Sequence, residues 1–138
     1  MKTKVYYADT DAAGVVYYGN YLRWLEMARS DWLDEWGVSL ADYANQGILF
    51  SVVRVEIDYL TPAVLGDEVE ITVEPERVRR VRFLLRQDVI RVSDGTKLAA
   101  AKVTVACLAP EGKIVPVPQR LARGMSAELE QDKKNERA

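Results

Sequence analysis

The chain has 138 residues, of which 49% are hydrophobic and 29% are charged, and its formal net charge is −2. This length suits one compact core and is too short for two ordinary domains, so we expect a single domain over residues 1–138. The slightly acidic balance does not favour nucleic acid as a partner, and a chain with no His and one Cys cannot build zinc clusters, Ser-His-Asp triads or Cys-His pairs. Any chemistry must therefore use carboxylates, hydroxyls, amines or backbone amides.

The apolar segments are short. None approaches the roughly 20 residues that cross a bilayer, and Met1 is not followed by the apolar core of a signal peptide. We therefore expect a cytoplasmic protein without a membrane span. Cys107 lies in the apolar run Ala99–Leu108, which predicts a buried structural thiol and indicates no oxidising compartment.

The first part of the chain predicts a strand, a loop and a long helix. Residues Thr3 to Ala8 have the aromatic and β-branched content of a strand. The helix is expected to begin between Tyr18 and Tyr21, with Asn20 as its cap. Gly37 should end it, and one further helical turn is expected over Leu40–Asn45. Apolar residues recur at helical steps and predict a mostly buried helix: Tyr21, Leu22, Trp24, Leu25, Ala28, Trp32, Leu33 and Trp36.

From Phe50 onward the apolar period changes to two, which predicts antiparallel strands joined by short turns. The four predicted strands are Phe50–Tyr59, Glu68–Glu74, Arg80–Arg86 and Lys97–Leu108. The outer face of the second is acidic and that of the third is basic, so the two would supply cross-strand charge partners if they pair. A helical segment is then expected over Arg120–Leu129, before a charged tail at about residues 130–138 that should fray.

One long buried helix and a run of antiparallel strands predict an α+β fold, in which a curved antiparallel β-sheet wraps around a long central α-helix. The chemistry-bearing segment lies just before that helix, between Asp9 and Tyr21. It places carboxylates and glycines ahead of a helix N-terminus, whose first amides lack intrahelical acceptors and can polarise a carbonyl oxygen. This spacing is typical of an acyl-transfer site. From composition alone, it is more often that of an ordinary loop in which an Asp caps the helix and glycines turn the chain.

The motif Tyr7-x-Asp9-Thr10-Asp11-x-x-Gly14-Val15-Val16-Tyr17, followed by Asn20-Tyr21, resembles that of the hotdog-fold acyl-CoA thioesterases, the family of 4-hydroxybenzoyl-CoA thioesterase and the YbgC-like enzymes. The resemblance continues through Tyr59-Leu60-Thr61-Pro62-Ala63 and Gly66-Asp67 to about Pro118. It implies the hotdog fold and thioester hydrolysis. One departure is Tyr18, where the YbgC-like enzymes often carry His, and this departure leaves the acyl preference open.

The resemblance also implies roles for individual residues. Asp11 is the catalytic carboxylate, either as a nucleophile or as a base that activates water. The backbone amide of Tyr18 polarises the thioester oxygen, and Asp9 is expected to bond loop amides instead. The glycines could equally be plain turn residues. Tyr17, Tyr18, Tyr21 and Trp24 could line an acyl pocket, but aromatic side chains at helical spacing are more often core. The resemblance implies that the substrate-binding residues are Gly14, Tyr17, Gly19, Asn20 and Tyr21.

Coenzyme A brings phosphates, for which the densest basic cluster offers Arg79, Arg80 and Arg82, although each could instead pair with the acidic strand. No metal and no cofactor are expected, since coenzyme A is part of the substrate. The resemblance implies a homodimer that assembles to a homotetramer, with the active site across the interface.

The sequence therefore predicts an acyl-CoA thioesterase that hydrolyses short-chain or aromatic acyl-CoA thioesters. The alternative is a non-catalytic hotdog module that binds acyl-CoA or acyl carrier protein. A hydratase or dehydratase is less favoured, since many of these enzymes need a His partner.

Overall fold

The computed structural model of the chain describes residues 1–37 and 39–137, without the side chain of Arg137. Ala138, the last residue of the tail that was expected to fray, lies outside the described residues. The described residues form, in chain order, β1 (Lys2–Lys4), α1 (Asn20–Glu35), α2 (Leu40–Asn45), β2 (Leu49–Tyr59), β3 (Glu68–Ile71), β4 (Glu74–Val78), β5 (Arg82–Arg91), β6 (Lys97–Leu108) and α3 (Gln119–Arg137).

The strands form one antiparallel sheet in the order β1-β3-β5-β6-β2, with β4 also paired to β5. The two longest pairings join β6 to β2 and β6 to β5. Strand β2 has no partner on its outer side within the described residues, so it forms an edge of the sheet.

The second predicted strand is in fact two strands. Strand β3 ends at Ile71 and β4 begins at Glu74. Between them the Thr72 amide donates to the Asp88 carbonyl at 3.0 Å, and Thr72 Oγ1 accepts from the Asp88 amide at 3.0 Å. The hydroxyl of Thr72 replaces a backbone acceptor at this point, which is where the ladder is interrupted.

This break changes the charge pairing that the sequence predicted. Glu74 does form an ion pair with Arg86. Glu68 and Glu70, however, lie opposite Lys4 and Lys2 of β1. The acidic row is therefore shared between two neighbouring strands, because β3 and β4 occupy different stretches along β5.

The segment before α1 also differs from the prediction. Strand β1 stops at Lys4, and Tyr7–Asp9 form a short 3-10 turn. Helix α1 begins at Asn20, and the residue at its N-cap is Gly19. The predicted Asn20 cap is wrong because the Asn20 side chain donates to Asp9 instead, at 3.2 Å.

Helix α1 lies on one face of the sheet, as predicted. Trp24 and Leu25 are each 1% exposed, and they belong to one core cluster with the sheet residues Leu85, Val89 and Val103. Each such side chain stabilises the fold by about 1.5–3 kcal/mol relative to an exposed one. Cys107 is also fully buried, as expected, and burial raises the pKa of its thiol to about 11.

Helix α3 is longer than the predicted segment, since it continues past Leu129 to Arg137. Its first half is anchored by Leu121 and Met125, which are both fully buried in the core cluster. Over residues 130–136 its side chains are exposed. No helix in the described part of the chain has the length and hydropathy needed to span a membrane.

Gly124 of α3 packs directly on the Trp36 ring, so a Cβ atom at this position would overlap the ring. We expect Gly124→Ala to destabilise the protein by about 1–3 kcal/mol through overpacking, although Ala is the better helix former by about 1 kcal/mol. Urea unfolding measures the loss. Ser126→Ala on the exposed side of α3 is the control and should leave stability nearly unchanged; equal stability of both variants would contradict this packing.

Candidate active site

The segment with the sequence motif folds as a small antiparallel hairpin. The Asp11 amide donates to the Val15 carbonyl at 2.9 Å, and the Tyr17 amide donates to the Asp9 carbonyl at 2.9 Å. At the tip, the Gly14 amide donates to the Asp11 carbonyl at 3.0 Å, and Gly14 has φ of 79°, a conformation that favours glycine. The hairpin therefore carries Asp11 at its outer end and delivers Tyr17 to the start of α1.

Asp9 holds the base of this hairpin. Its side chain is buried, its Oδ2 accepts from the Tyr6 amide at 2.9 Å, and its Oδ1 accepts from Asn20 Nδ2 at 3.2 Å. The Arg23 guanidinium lies 3.9 Å from the same Oδ1. The expectation that Asp9 bonds a loop amide is confirmed, and its carboxylate is occupied by structural contacts.

Asp11 has the opposite environment. It is exposed, and its Oδ1 accepts from the Ala13 amide at 2.8 Å. Within the described residues, its other carboxylate oxygen has no protein partner. Asp11 lines an open surface depression together with Tyr7, Thr10, Ala12, Gly14 and Leu65.

The N-terminus of α1 offers unused donors. Among the hydrogen bonds of the described residues, the amides of Tyr18 and Gly19 donate to no protein acceptor. The Tyr18 carbonyl accepts from the Tyr59 hydroxyl at 3.0 Å and from the Tyr21 amide at 3.3 Å. The depression that Asp11 lines does not include Tyr18 or Gly19.

The predicted aromatic residues divide into two groups. Tyr17 and Tyr18 are exposed, with ring centroids 4.8 Å apart. Tyr21 and Trp24 are buried in the core, and the Tyr21 hydroxyl accepts from the Ala63 amide at 3.1 Å. Burial raises the pKa of Tyr21. Of these four aromatic residues, only Tyr17 and Tyr18 are free to meet a ligand.

Gly19 and Tyr59 complete the start of α1. A Cβ at Gly19 would lie 2.7 Å from the Tyr17 ring, so glycine permits the close approach of that ring to the helix. The Tyr59 side chain contacts Tyr18 and Tyr21 from strand β2. The sequence reasoning missed Tyr59 as a site residue because this contact spans 41 positions.

The predicted CoA-binding arginines lie elsewhere. Tyr59 is paired with Ala99 of β6, and Arg82 is paired with Ala106 of the same strand. Seven residues of extended strand separate these levels by roughly 23 Å. Arg79, Arg80 and Arg82 are exposed at that far end, so within one chain they lie far from Asp11.

In the described part of the chain no three Asp, Glu or Cys side chains are grouped so that they could hold a metal ion. The site thus consists of an exposed carboxylate, unpaired helix amides and exposed tyrosine rings.

A family model described as the thioesterase-like superfamily matches residues 5–125 of the chain. The chain belongs to this superfamily. It is 36% identical over 119 residues to a 1,4-dihydroxy-2-naphthoyl-CoA hydrolase from Thermosynechococcus vestitus, which covers 85% of the chain and 81% of the relative. It is 32% identical over 128 residues to the acyl-CoA thioester hydrolase YbgC from Escherichia coli, with 93% and 92% covered.

Solved structures of this thioesterase-like superfamily have the same fold. A 1,4-dihydroxy-2-naphthoyl-CoA thioesterase from Synechocystis superposes with a TM-score of 0.85 at 30% identity, covering 91% of this chain and 93% of that one. The predicted α+β hotdog fold is thereby confirmed, as is the family resemblance drawn from the motif.

The contrast between the two aspartates predicts different effects on stability. Asp9→Ala leaves the Tyr6 amide and Asn20 without their acceptor and should lower the free energy of unfolding by about 2 kcal/mol. Asp11→Ala removes only an exposed loop contact and should cost less than about 1 kcal/mol. Urea unfolding of both variants measures the difference, and similar losses would contradict the anchoring role of Asp9.

Proposed function

We propose that this thioesterase-like protein hydrolyses short-chain or aromatic acyl-CoA thioesters to the free acid and CoA. The observation that carries the proposal is the exposed Asp11 carboxylate, which has an unoccupied oxygen on a hairpin leading directly to the unpaired amides of Tyr18 and Gly19. The names of the relatives support thioester hydrolysis, and one of them specifies an aromatic acyl group.

The proposed chemistry needs only these groups. The amides at the start of α1 donate to the thioester oxygen, and one such donor is typically worth about 2.7–4 kcal/mol in the transition state. Asp11 either attacks the thioester carbon to form a mixed anhydride, which water then hydrolyses, or removes a proton from the attacking water. In both routes the C–S bond breaks and the thiolate of CoA leaves, which requires little help from an acid.

Asp11→Asn tests this role. The amide cannot accept a proton, so we expect kcat/KM to fall by about 10²–10⁴-fold for an acyl-CoA that the wild-type protein hydrolyses. The release of free CoA thiol measures the rate. Asp31→Asn, at an exposed position on α1, is the matched control and should retain the wild-type rate. Equal rates for Asp11→Asn and wild type would remove Asp11 from the mechanism. Tight binding of acyl-CoA without turnover by wild type would favour the non-catalytic alternative instead.

We further propose that the protein is a homodimer formed through β2. This edge strand is 11 residues long and exposes Val52, Val53 and Val55 by 43%, 50% and 37%. An unpaired apolar edge invites pairing with a second copy. Pairing around a two-fold axis is antiparallel, so the Leu49 end of one β2 lies beside the Tyr59 end of the other.

In one protomer the arginines and the Asp11 hairpin lie at opposite ends of the sheet, and the proposed dimer brings them together. The far end of the sheet, with Arg79, Arg80 and Arg82, comes to the same side of the assembly as the Asp11 hairpin of the other copy. The arginines remain the proposed phosphate ligands of CoA in that arrangement. Four further properties stay predictions from the sequence. They are the doubling of the dimer to a tetramer, a cytoplasmic location, independence from any cofactor and the binding of acyl carrier protein.

Val53→Lys tests the interface. A lysine on the sheet edge should oppose strand pairing and convert the dimer to monomer at micromolar concentration, as measured by multi-angle light scattering. Ile114→Lys replaces a side chain of similar exposure outside β2 and should leave the mass unchanged. A wild-type monomer, or a Val53→Lys protein of unchanged mass, would count against a β2 interface.

A further inference from the structure

A cavity of about 140 Å³ lies between the second half of α1 and the sheet. Its volume is close to that of the engineered apolar cavity of about 150 Å³ that takes up a benzene molecule. Its lining is largely apolar, with contributions from Trp32, Leu33, Leu40, Phe50, Val52, Phe83, Leu85 and Val105. The cavity is therefore sized for one aromatic ring or a short branched chain.

The polar side chains that line this cavity come from α1: Glu26, Arg29 and Ser30. Arg29 Nη1 donates to Gln87 Oε1 at 3.1 Å, and Gln87 Nε2 donates to the Leu25 carbonyl at 3.0 Å. Gln87 is fully buried in the core-facing row of β5 between Leu85 and Val89. A polar residue in an apolar row is the signal in the sequence that could have marked this place.

The environment of Arg29 is unusual for a cation. Burial lowers the pKa of its guanidinium, and the charge of Glu26 only partly opposes this. Arg29 takes part in none of the ion pairs formed by the described residues. Its single side-chain bond uses one of five N–H donors. Partly desolvated donors at the wall of a ring-sized cavity are suited to a ligand oxygen.

We propose that this cavity receives the ring of an aromatic acyl group and that Arg29 selects rings carrying an oxygen acceptor at the end distal from the thioester. Gln87 is the positioning residue that holds the guanidinium at the cavity wall. This inference rests on the proposed thioesterase function and on the proposed dimer.

The dimer supplies the necessary proximity. Arg29 lies nine residues beyond Asn20, which is about 13 Å along α1 and too far for a single ring bound at the same protomer's helix start. Phe50 and Val52 place the cavity near the Leu49 end of β2, whereas Tyr59 contacts Tyr18 at the other end. Antiparallel pairing of two β2 strands sets these ends side by side, so the cavity of one copy faces the Asp11 hairpin of the other.

A pair of nearly isosteric substrates tests the inference. Wild type should hydrolyse 4-hydroxybenzoyl-CoA with a kcat/KM roughly tenfold to hundredfold above that for 4-methylbenzoyl-CoA, with the difference mainly in KM. Arg29→Met should abolish this preference by raising KM for the hydroxyl substrate toward the value for the methyl substrate. Arg29→Lys should keep part of it, and Arg123→Met, at an exposed position on α3, should keep all of it.

Gln87→Leu tests the positioning role. It should reduce the preference for the hydroxyl substrate without removing it, since the guanidinium stays but is no longer held. Loss of kcat for both substrates to the same extent would indicate a merely structural residue. Melting temperatures of each variant verify that the fold is retained.

A wild-type protein without preference, or an Arg29→Met protein that keeps it, would overturn the inference while leaving thioester hydrolysis intact. If no thioester is hydrolysed, the proposed function fails, and calorimetric binding of 4-hydroxybenzoate against 4-methylbenzoate then decides the role of Arg29. Preference for the hydroxyl acid that is lost in Arg29→Met would support the site, and equal affinities would overturn it.

Discussion

The buried carboxylate of Asp9 is the constraint on which the candidate site depends. It accepts hydrogen bonds from the amide that precedes the 3-10 turn and from the first residue of α1, so it ties two chain segments to one point. A buried carboxylate without these partners would be costly, and the loop is therefore held in the geometry that satisfies it. The hairpin built on this anchor presents Asp11 outward and leaves the next amides at the helix start unpaired.

Two aspartates separated by one residue thus do different work because their surroundings differ. The oxygens of Asp9 are engaged in the interior, whereas Asp11 retains an oxygen without a protein partner among the described residues. This division is what allows the proposed thioester hydrolysis to proceed without His. The leaving thiolate needs little protonation, and main-chain amides, which do not depend on side-chain identity, can stabilise the oxygen.

The sheet sets the scale of the site. Its two ends are roughly 23 Å apart, with the tyrosines and the α1 N-terminus at one end and the arginines at the other. The ring-sized cavity lies toward the arginine end, near Phe50. In the proposed dimer, antiparallel association of two copies through the exposed edge of β2 would place these opposite ends together.

The sequence by itself determined the local features. The helical period of α1, the alternation of β2 and β6, the buried Cys107 and the motif around Asp11 all depend on neighbours within a few positions, and motif and fold agree with the family. Tertiary structure decided the rest. In the tertiary structure the Asn20 side chain binds Asp9 and does not cap the helix. The acidic strand is interrupted at Thr72, and Arg82 lies far from Asp11. Arg29 is also joined to Gln87 across 58 positions. Periodicity reports which face of an element is buried, but strand register and packing determine which distant side chains meet.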